Sequence, residues 1–307
     1  MQHILNTIIP VFAVIMLGLL IRSTGYLPAN LTAPLNRLVY YLAIPAMVFK
    51  AVSEASFRVH FNPVLLAGTL IAVVVVFAIA LITGFVFSID REERGTFIQS
   101  SFHGNLGYIG FAVVFYLLGK EGFKSASILA GFLMLLQNFL AVIGIQVFSR
   151  GGQGKHRFWF LIKKVTGNPI ILSAIAGIAF SVLKIPLPVI VDRSLSIISG
   201  MALPLALLVI GASLSLNLIR SYLGLALGSG FLKLLILPLT GLLIYRWFGL
   251  PTEQFLPGLI FLASPTATVT YVMASEMGGS PEQASAAVSM NTLISSLTFV
   301  FWLGFFI

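Results

Sequence analysis

Cysteine is absent from the 307 residues. Disulfide staples, thiolate zinc sites, iron–sulfur clusters and thiol nucleophiles are therefore excluded. Charge is nearly as scarce, at 9% of residues, where a soluble domain carries roughly 25%. The 9 acidic and 18 basic side chains are too few to cover the water-facing surface of a 33.1 kDa globule. No Asp or Glu falls at the centre of an apolar run, which leaves a carboxylate proton relay without its groups. In place of charge there is apolar bulk: 58% of residues are hydrophobic and the mean hydropathy is +1.04. Disorder and collagen-like repeats do not fit that composition. The solvent of this chain is a lipid bilayer.

A helix needs about 20 mostly apolar residues to cross the hydrocarbon core. Ten segments qualify: 4–22, 33–52, 62–87, 96–118, 123–148, 168–184, 195–217, 221–246, 254–276 and 282–306. The first contains Pro10 and has no basic stretch ahead of it, so it reads as a permanent span and not as a cleaved signal. A formal net charge of +9 would suggest nucleic acid in a soluble protein. Here the basic residues are scattered among short loops, which fits retention of Lys and Arg on the cytoplasmic side. One set of loops carries 10 basic residues, five of them from Arg150 to Lys164, and the other set carries 7. The connection 149–167 is expected in the cytoplasm and both termini outside.

The two halves superpose at a nearly constant shift. At 159 residues, Pro10 falls on Pro169, Gly18 on Gly177, and Ala43-Ile44-Pro45 on Ala202-Leu203-Pro204. At 160, Pro28 falls on Pro188, Glu93 on Glu253, and Gly119 on Gly279. This predicts one five-helix repeat over 1–148, a short linker over 149–167, and a second repeat over 168–307. Because five is odd, the second copy enters the membrane from the other side. Inverted repeats of this kind build alternating-access transporters with a site at the repeat interface.

Such sites use interrupted helices in corresponding positions. Span four carries His103-Gly104-Asn105-Leu106-Gly107-Tyr108-Ile109-Gly110, and span nine carries Ser264-Pro265-Thr266-Ala267-Thr268. Under the 160 shift Asn105 falls on Pro265, so the two breaks coincide. The half-helices that restart after them present amide hydrogens and the positive end of a dipole, which favours an anion such as a carboxylate. Asn105, Thr266 and Thr268 suit both the capping of those ends and contact with substrate oxygens. Gly107, Gly110 and Pro265 shape the backbone, while Tyr108 is either a ligand or a filler at a helix contact. His103 has two readings, a cap on a neighbouring carbonyl or a group that meets substrate or a proton.

Other polar residues lie at depth. Lys233 in span eight is either an anion partner or a structural donor to a carbonyl freed by Pro238. Gln137 and Asn138 in span five, with Asn291 in span ten, either coordinate Na⁺ or join helices.

At these residues the chain resembles the auxin efflux carrier family, whose members include plant auxin carriers and bacterial carboxylate permeases. The stretches that carry the resemblance are 35–45, Gly104 to Gly110, 231–238 and Ala274-Ser275-Glu276. The resemblance implies an all-α polytopic membrane protein with ten transmembrane helices in two inverted five-helix repeats, and broken crossover helices four and nine. It implies a fold similar to the sodium/bile-acid symporters, with a scaffold from helices 1, 2, 6 and 7. Helices 3–5 and 8–10 then form a moving transport domain. Asn105 matches the family asparagine that contacts substrate carboxylate, and Gly110 matches a family glycine. Gly104 stands where the plant carriers have proline, and Thr266 and Thr270 stand where they have glutamine and a second proline.

The function expected is a secondary transporter of a small organic carboxylate, an auxin-like monocarboxylate or a dicarboxylate such as malate, by an elevator-type motion in the cell membrane. A Na⁺-coupled symporter of a larger amphipathic acid is the alternative. An enzyme would need paired carboxylates, a His-metal set or a Ser/His constellation at depth, and only His103 among the four histidines lies inside a span. No cofactor, bound metal or nucleic acid is expected; the partners are the substrate anion, the bilayer and, by resemblance, a second copy through the scaffold. The absence of native cysteine makes the topology easy to test. A Gln153→Cys variant in intact cells is expected to resist a membrane-impermeant thiol reagent; labelling from outside would invert the orientation.

Overall fold

The computed structural model describes residues 1–148 and 167–306, so the linker expected over 149–167 lies outside the described residues but for its last position. The described chain is helical, and the sole pairing of extended backbone is a bridge between Gly104 and Thr266. In order the helices are α1 (Gln2–Ser23), α2 (Ala29–Leu38), α3 (Ile44–Ser53), α4 (Phe57–His60), α5 (Pro63–Val86), α6 (Arg91–Phe102) and α7 (Phe111–Phe148). They continue as α8 (Pro169–Leu183), α9 (Val189–Gly200), α10 (Ala202–Ser213), α11 (Leu216–Ser221), α12 (Leu223–Phe231) and α13 (Leu237–Trp247). The last three are α14 (Thr252–Ala263), α15 (Val269–Met277) and α16 (Pro281–Gly304). Three π-turns, Val39–Ala43, Leu106–Gly110 and Leu232–Ile236, join α2 to α3, lead into α7, and join α12 to α13.

Among the described residues seven helical stretches are long and apolar enough to cross a membrane. One of them, Leu106–Phe148, has 43 residues, about 65 Å of helix against a core of about 30 Å. Gly119, at φ 66° and ψ −166°, bends it into two pieces. Two apolar segments of the sequence appear instead as pairs of short helices, α14 with α15 and α6 with the start of Leu106–Phe148. The segment expected over 195–217 begins earlier, at Val189, and stops at Ser213. Asp192 lies in the first turn, where the helix dipole favours an acidic side chain, and it accepts from Lys50, which also pairs with Glu54 at 2.7 Å. Pro188 sets the start, since proline suits the entry to a helix and not its interior.

The described residues form two compact units. The first comprises Met1–Pro63, Leu106–Phe132 and 167–213. In it α1 packs along α10, and α3 along α8. Small residues make both approaches possible. A Cβ on Gly18 would lie 2.2 Å from the Leu208 carbonyl oxygen, and one on Gly211 would lie 1.8 Å from that of Ile15. In the other pair, a Cβ on Gly177 would meet Val52 and the Phe49 carbonyl at 2.8 and 3.1 Å. Gly177 and Phe49 each lie 159 positions from Gly18 and Leu208, so one helix contact recurs with its partners exchanged.

The second unit comprises Val64–Asn105, 133–148 and 214–306. Its central element is α16, which touches α6, α11, α12, α14 and α15. The fully buried face of α16 carries Asn291, Thr292 and Ser295 as well as Phe299 and Leu303. A buried Tyr245 hydroxyl sits 2.7 Å from Thr69 and joins α13 to α5.

Left-handed backbone recurs with the same period. Among the described residues six have positive φ: Gly25 and Lys184, Ser88 and Gly249, Gly119 and Gly278. The members of each pair are 159, 161 and 159 positions apart. Gly211→Ala is expected to lower the melting temperature in detergent, by about 1–3 kcal/mol of overpacking. Gly224→Ala, with nothing within 4 Å of the new methyl, is expected to leave it unchanged or raise it. Equal effects of the two would remove close packing as the cause.

Candidate functional site

Both breaks arise locally. Helix α6 ends at Phe102 because His103 is extended (ψ 101°) and glycine follows. Helix α14 ends at Ala263 because Ser264 is extended (ψ 144°), the conformation that proline imposes on the residue before it. The two extended pieces then cross antiparallel. Asn105 N donates to the Pro265 carbonyl at 2.7 Å, and Ala267 N donates to the His103 carbonyl at 2.9 Å. Pro265 has no N–H to return the first bond, so these two bonds alone flank the bridge between Gly104 and Thr266. Backbone left unpaired at membrane depth would cost several kcal/mol per group, which makes this pairing the condition for breaking both helices.

Side chains complete the crossing. Thr266 Oγ1 donates to the Ser100 carbonyl at 2.8 Å and accepts from Asn291 Nδ2 at 2.8 Å. The Gln137 amide donates to the Phe102 carbonyl at 3.3 Å. Asn291 and Gln137 are thus brought to the crossing, each as a donor through its nitrogen. Asn138 is buried beside Gln137 in sequence and has no such bond. Gln99 Nε2 lies 3.1 Å from His103 Nδ1. An amide nitrogen can only donate, so Nδ1 accepts and the ring proton belongs on Nε2. The His103 ring thus meets the Gln99 amide.

Lys233 is fully buried and donates to the Leu262 carbonyl at 2.7 Å, in the last turn of α14. The carbonyl that Pro238 frees is that of Leu234, and it accepts from Trp302 Nε1 at 2.8 Å. The structural donor expected of Lys233 is thus real, but its acceptor is the end of the broken helix. No ion pair involves Lys233 among the described residues.

Asn105 is 5% exposed, and its Nδ2 has no hydrogen-bond partner. Thr266 is committed to Ser100, and Thr268, the residue before α15, makes no side-chain cap. The capping expected of these threonines is therefore absent. Gly107, Tyr108 and Gly110 lie in the π-turn of the first unit, where the Tyr108 hydroxyl donates to Asn36 at 2.7 Å. Tyr108 is held as a helix contact. Sequence reasoning passed over Ser100, Gln99 and Trp302; only the pairing of the indole with a proline one helix away could have singled out Trp302, and that pairing is tertiary.

Lys233→Met is expected to lower the melting temperature by removing a charge-assisted bond worth about 1.5–3 kcal/mol. Trp302→Phe, which orphans the Leu234 carbonyl, is expected to cost about 1–3 kcal/mol. Thermal unfolding of purified variants measures both; unchanged melting of Lys233→Met would assign the ammonium a role other than support.

A family model described as "Membrane transport protein" matches residues 3–303. A protein of Rhizobium meliloti (strain 1021) named "Putative malonate transporter" is 26% identical, over 97% of this chain and 94% of its own length. An "Uncharacterized transporter" of Methanothermobacter thermautotrophicus is 23% identical over 97% of this chain and 96% of its own. A second archaeal one, from Methanocaldococcus jannaschii, is 22% identical over 97% of each. These relatives are transporters and not enzymes. With its apolar helices and a family match over nearly its whole length, the chain is a multi-pass membrane transporter and belongs to the membrane transport protein family, that of the auxin efflux carriers.

Proposed function

We propose that the protein is a secondary transporter that carries a small organic carboxylate across the cell membrane by alternating access, with a dicarboxylate the substrate class of choice. The observation that carries this reading is the Asn105 Nδ2 donor, buried and unpartnered on a crossing whose backbone is otherwise paired. An exposed amide would be satisfied by water; a buried one calls for an acceptor, and a carboxylate oxygen is the strongest available. The positive end of α15, which restarts just beyond the crossing, adds to the attraction for an anion. A dicarboxylate is favoured over an auxin-like acid because the name of the Rhizobium relative is that of a malonate transporter.

The same reading takes the helices as ten crossings in two inverted repeats. Its supports are the left-handed pairs 159–161 positions apart and the exchanged glycine contacts of the first unit. A two-fold relation generates contacts of that reciprocal kind. Both termini then lie outside, helices 3–5 and 8–10 move against a scaffold of 1, 2, 6 and 7 in an elevator-type motion, and a second copy docks on that scaffold.

Asn105→Ala is expected to weaken malonate or malate binding by roughly 10- to 150-fold, the equivalent of a charge-assisted bond of about 1.5–3 kcal/mol. Asn105→Asp is expected to bind more weakly still, since it sets a fixed negative charge beside the anion. Calorimetry and melting temperature on both variants separate affinity from folding. Wild-type affinity in Asn105→Asp would put the substrate elsewhere.

A further inference from the structure

The internal repeat makes the two helix ends at the crossing comparable, and they are not furnished alike. Leu262, near the end of α14, is 160 positions from Phe102, the end of α6. Each is the carboxyl end of a broken helix, where the dipole is negative. The Leu262 carbonyl receives the Lys233 ammonium at 2.7 Å. The residue 160 positions before Lys233 is Val73, fully buried and without charge. The Phe102 carbonyl receives instead the neutral Gln137 amide, at 3.3 Å. One end holds a resident cation and its counterpart holds none.

The second observation concerns oxygen atoms at that counterpart. Gln137 Oε1 and Ser100 Oγ are buried and without a partner, on residues 1% and 0% exposed. Gln137 reaches the end of α6 through its own Nε2, and Ser100 lies in the last turn of α6. A third unpartnered oxygen, Asn291 Oδ1, belongs to the side chain that holds Thr266 against the Ser100 carbonyl. An unsatisfied buried polar atom at membrane depth is costly, and two acceptor-capable oxygens beside a negative helix end call for a positive ligand. Hard cations take oxygen ligands, and unwound carbonyls and helix carboxyl ends coordinate such ions in other transporters. All the donors here are neutral, and no cluster of acidic or histidine side chains fit for a metal occurs among the described residues. That set lacks the charge to hold a divalent ion.

We infer that the carboxyl end of α6, with Ser100 Oγ and Gln137 Oε1, binds a monovalent alkali cation at the place where its repeat counterpart carries Lys233. The cation fixes the end of α6 from which Asn105 extends three residues later, so cation and carboxylate raise one another's affinity by linkage. That coupling rests on the carboxylate reading; the cation site does not.

The experiment is thermal unfolding of purified full-length protein without carboxylate, in NaCl, KCl, LiCl or choline chloride at equal ionic strength. One alkali salt is expected to raise the melting temperature over choline by about 3–8 °C near saturation. Ser100→Ala and Gln137→Leu are expected to lose that rise, and Asn105→Ala to keep it. Should Gln137→Leu fail to fold, Ser100→Ala decides. Malonate affinity of the wild type is then expected to be at least 5-fold higher in the responding salt. Identical melting of the wild type in all four salts, or a full response in Ser100→Ala, overturns the site. A rise with alkali cation but no carboxylate binding in any salt would instead overturn the substrate reading and leave the cation site standing.

Discussion

Hydrocarbon offers no hydrogen bonds, and that single fact organises the centre of the second unit. A helix interrupted at membrane depth exposes carbonyls on one side of the break and amides on the other. Here two interrupted helices solve the problem together. Asn105 donates to Pro265 and Ala267 to His103, so each break supplies the partner that the other lacks. Neither break is tolerable alone. The coincidence of the glycine-rich stretch with the proline under the repeat is therefore a physical requirement, and a change that closed one break would strand the other.

The same rule explains where the side-chain donors sit. Each proline within or just after a helix removes an amide and orphans the carbonyl four residues earlier. Pro238 orphans Leu234, and the Trp302 indole supplies the missing hydrogen from α16. Pro265 stands four residues after Phe261, whose carbonyl accepts from the Ser264 hydroxyl at 2.6 Å. Thr266, Gln137 and Lys233 do likewise for Ser100, Phe102 and Leu262. Polar residues that look functional by depth alone are thus largely assigned to carbonyls. The groups left over, Asn105 Nδ2 and a few oxygens, stand out because so many of their neighbours are accounted for.

How much of this was legible in the chain follows from what is local and what is not. The apolar segments and the two breaks come from composition and from Gly and Pro, which act on their own backbone, and they were readable to within a few residues. The helix of the segment 195–217 starts earlier, at Val189, because Asp192 and Arg193 interrupt the apolar run in sequence while the Lys50 that pairs with Asp192 lies 142 positions earlier. The partner of Lys233 was misjudged for a related reason. Pro238 is near it in sequence, whereas Leu262 is near it only in the fold. Residue type and depth identified Asn105, His103, Gln137, Asn291 and Lys233 as candidates, yet the direction in which each amide points is a tertiary fact. Asn291 and Gln137 both face the crossing with nitrogen, which a list of polar residues does not tell.

A repeat that stayed symmetric would build two equal helix ends, and equal ends give a carrier no means of treating an anion and its counter-charge differently. Two departures from symmetry bear on the crossing. Asn105 stands opposite Pro265, which leaves one half of the crossing with an amide side chain and the other with a backbone that cannot donate. Lys233 stands opposite Val73, which puts a lysine amine at one helix end and an apolar side chain in the matching place. The backbone pairing is kept by both halves, because hydrocarbon demands it of both. Both lie in side chains that touch the crossing or its ends. Selectivity for charge can therefore diverge between the halves while the paired backbone that keeps them folded stays the same.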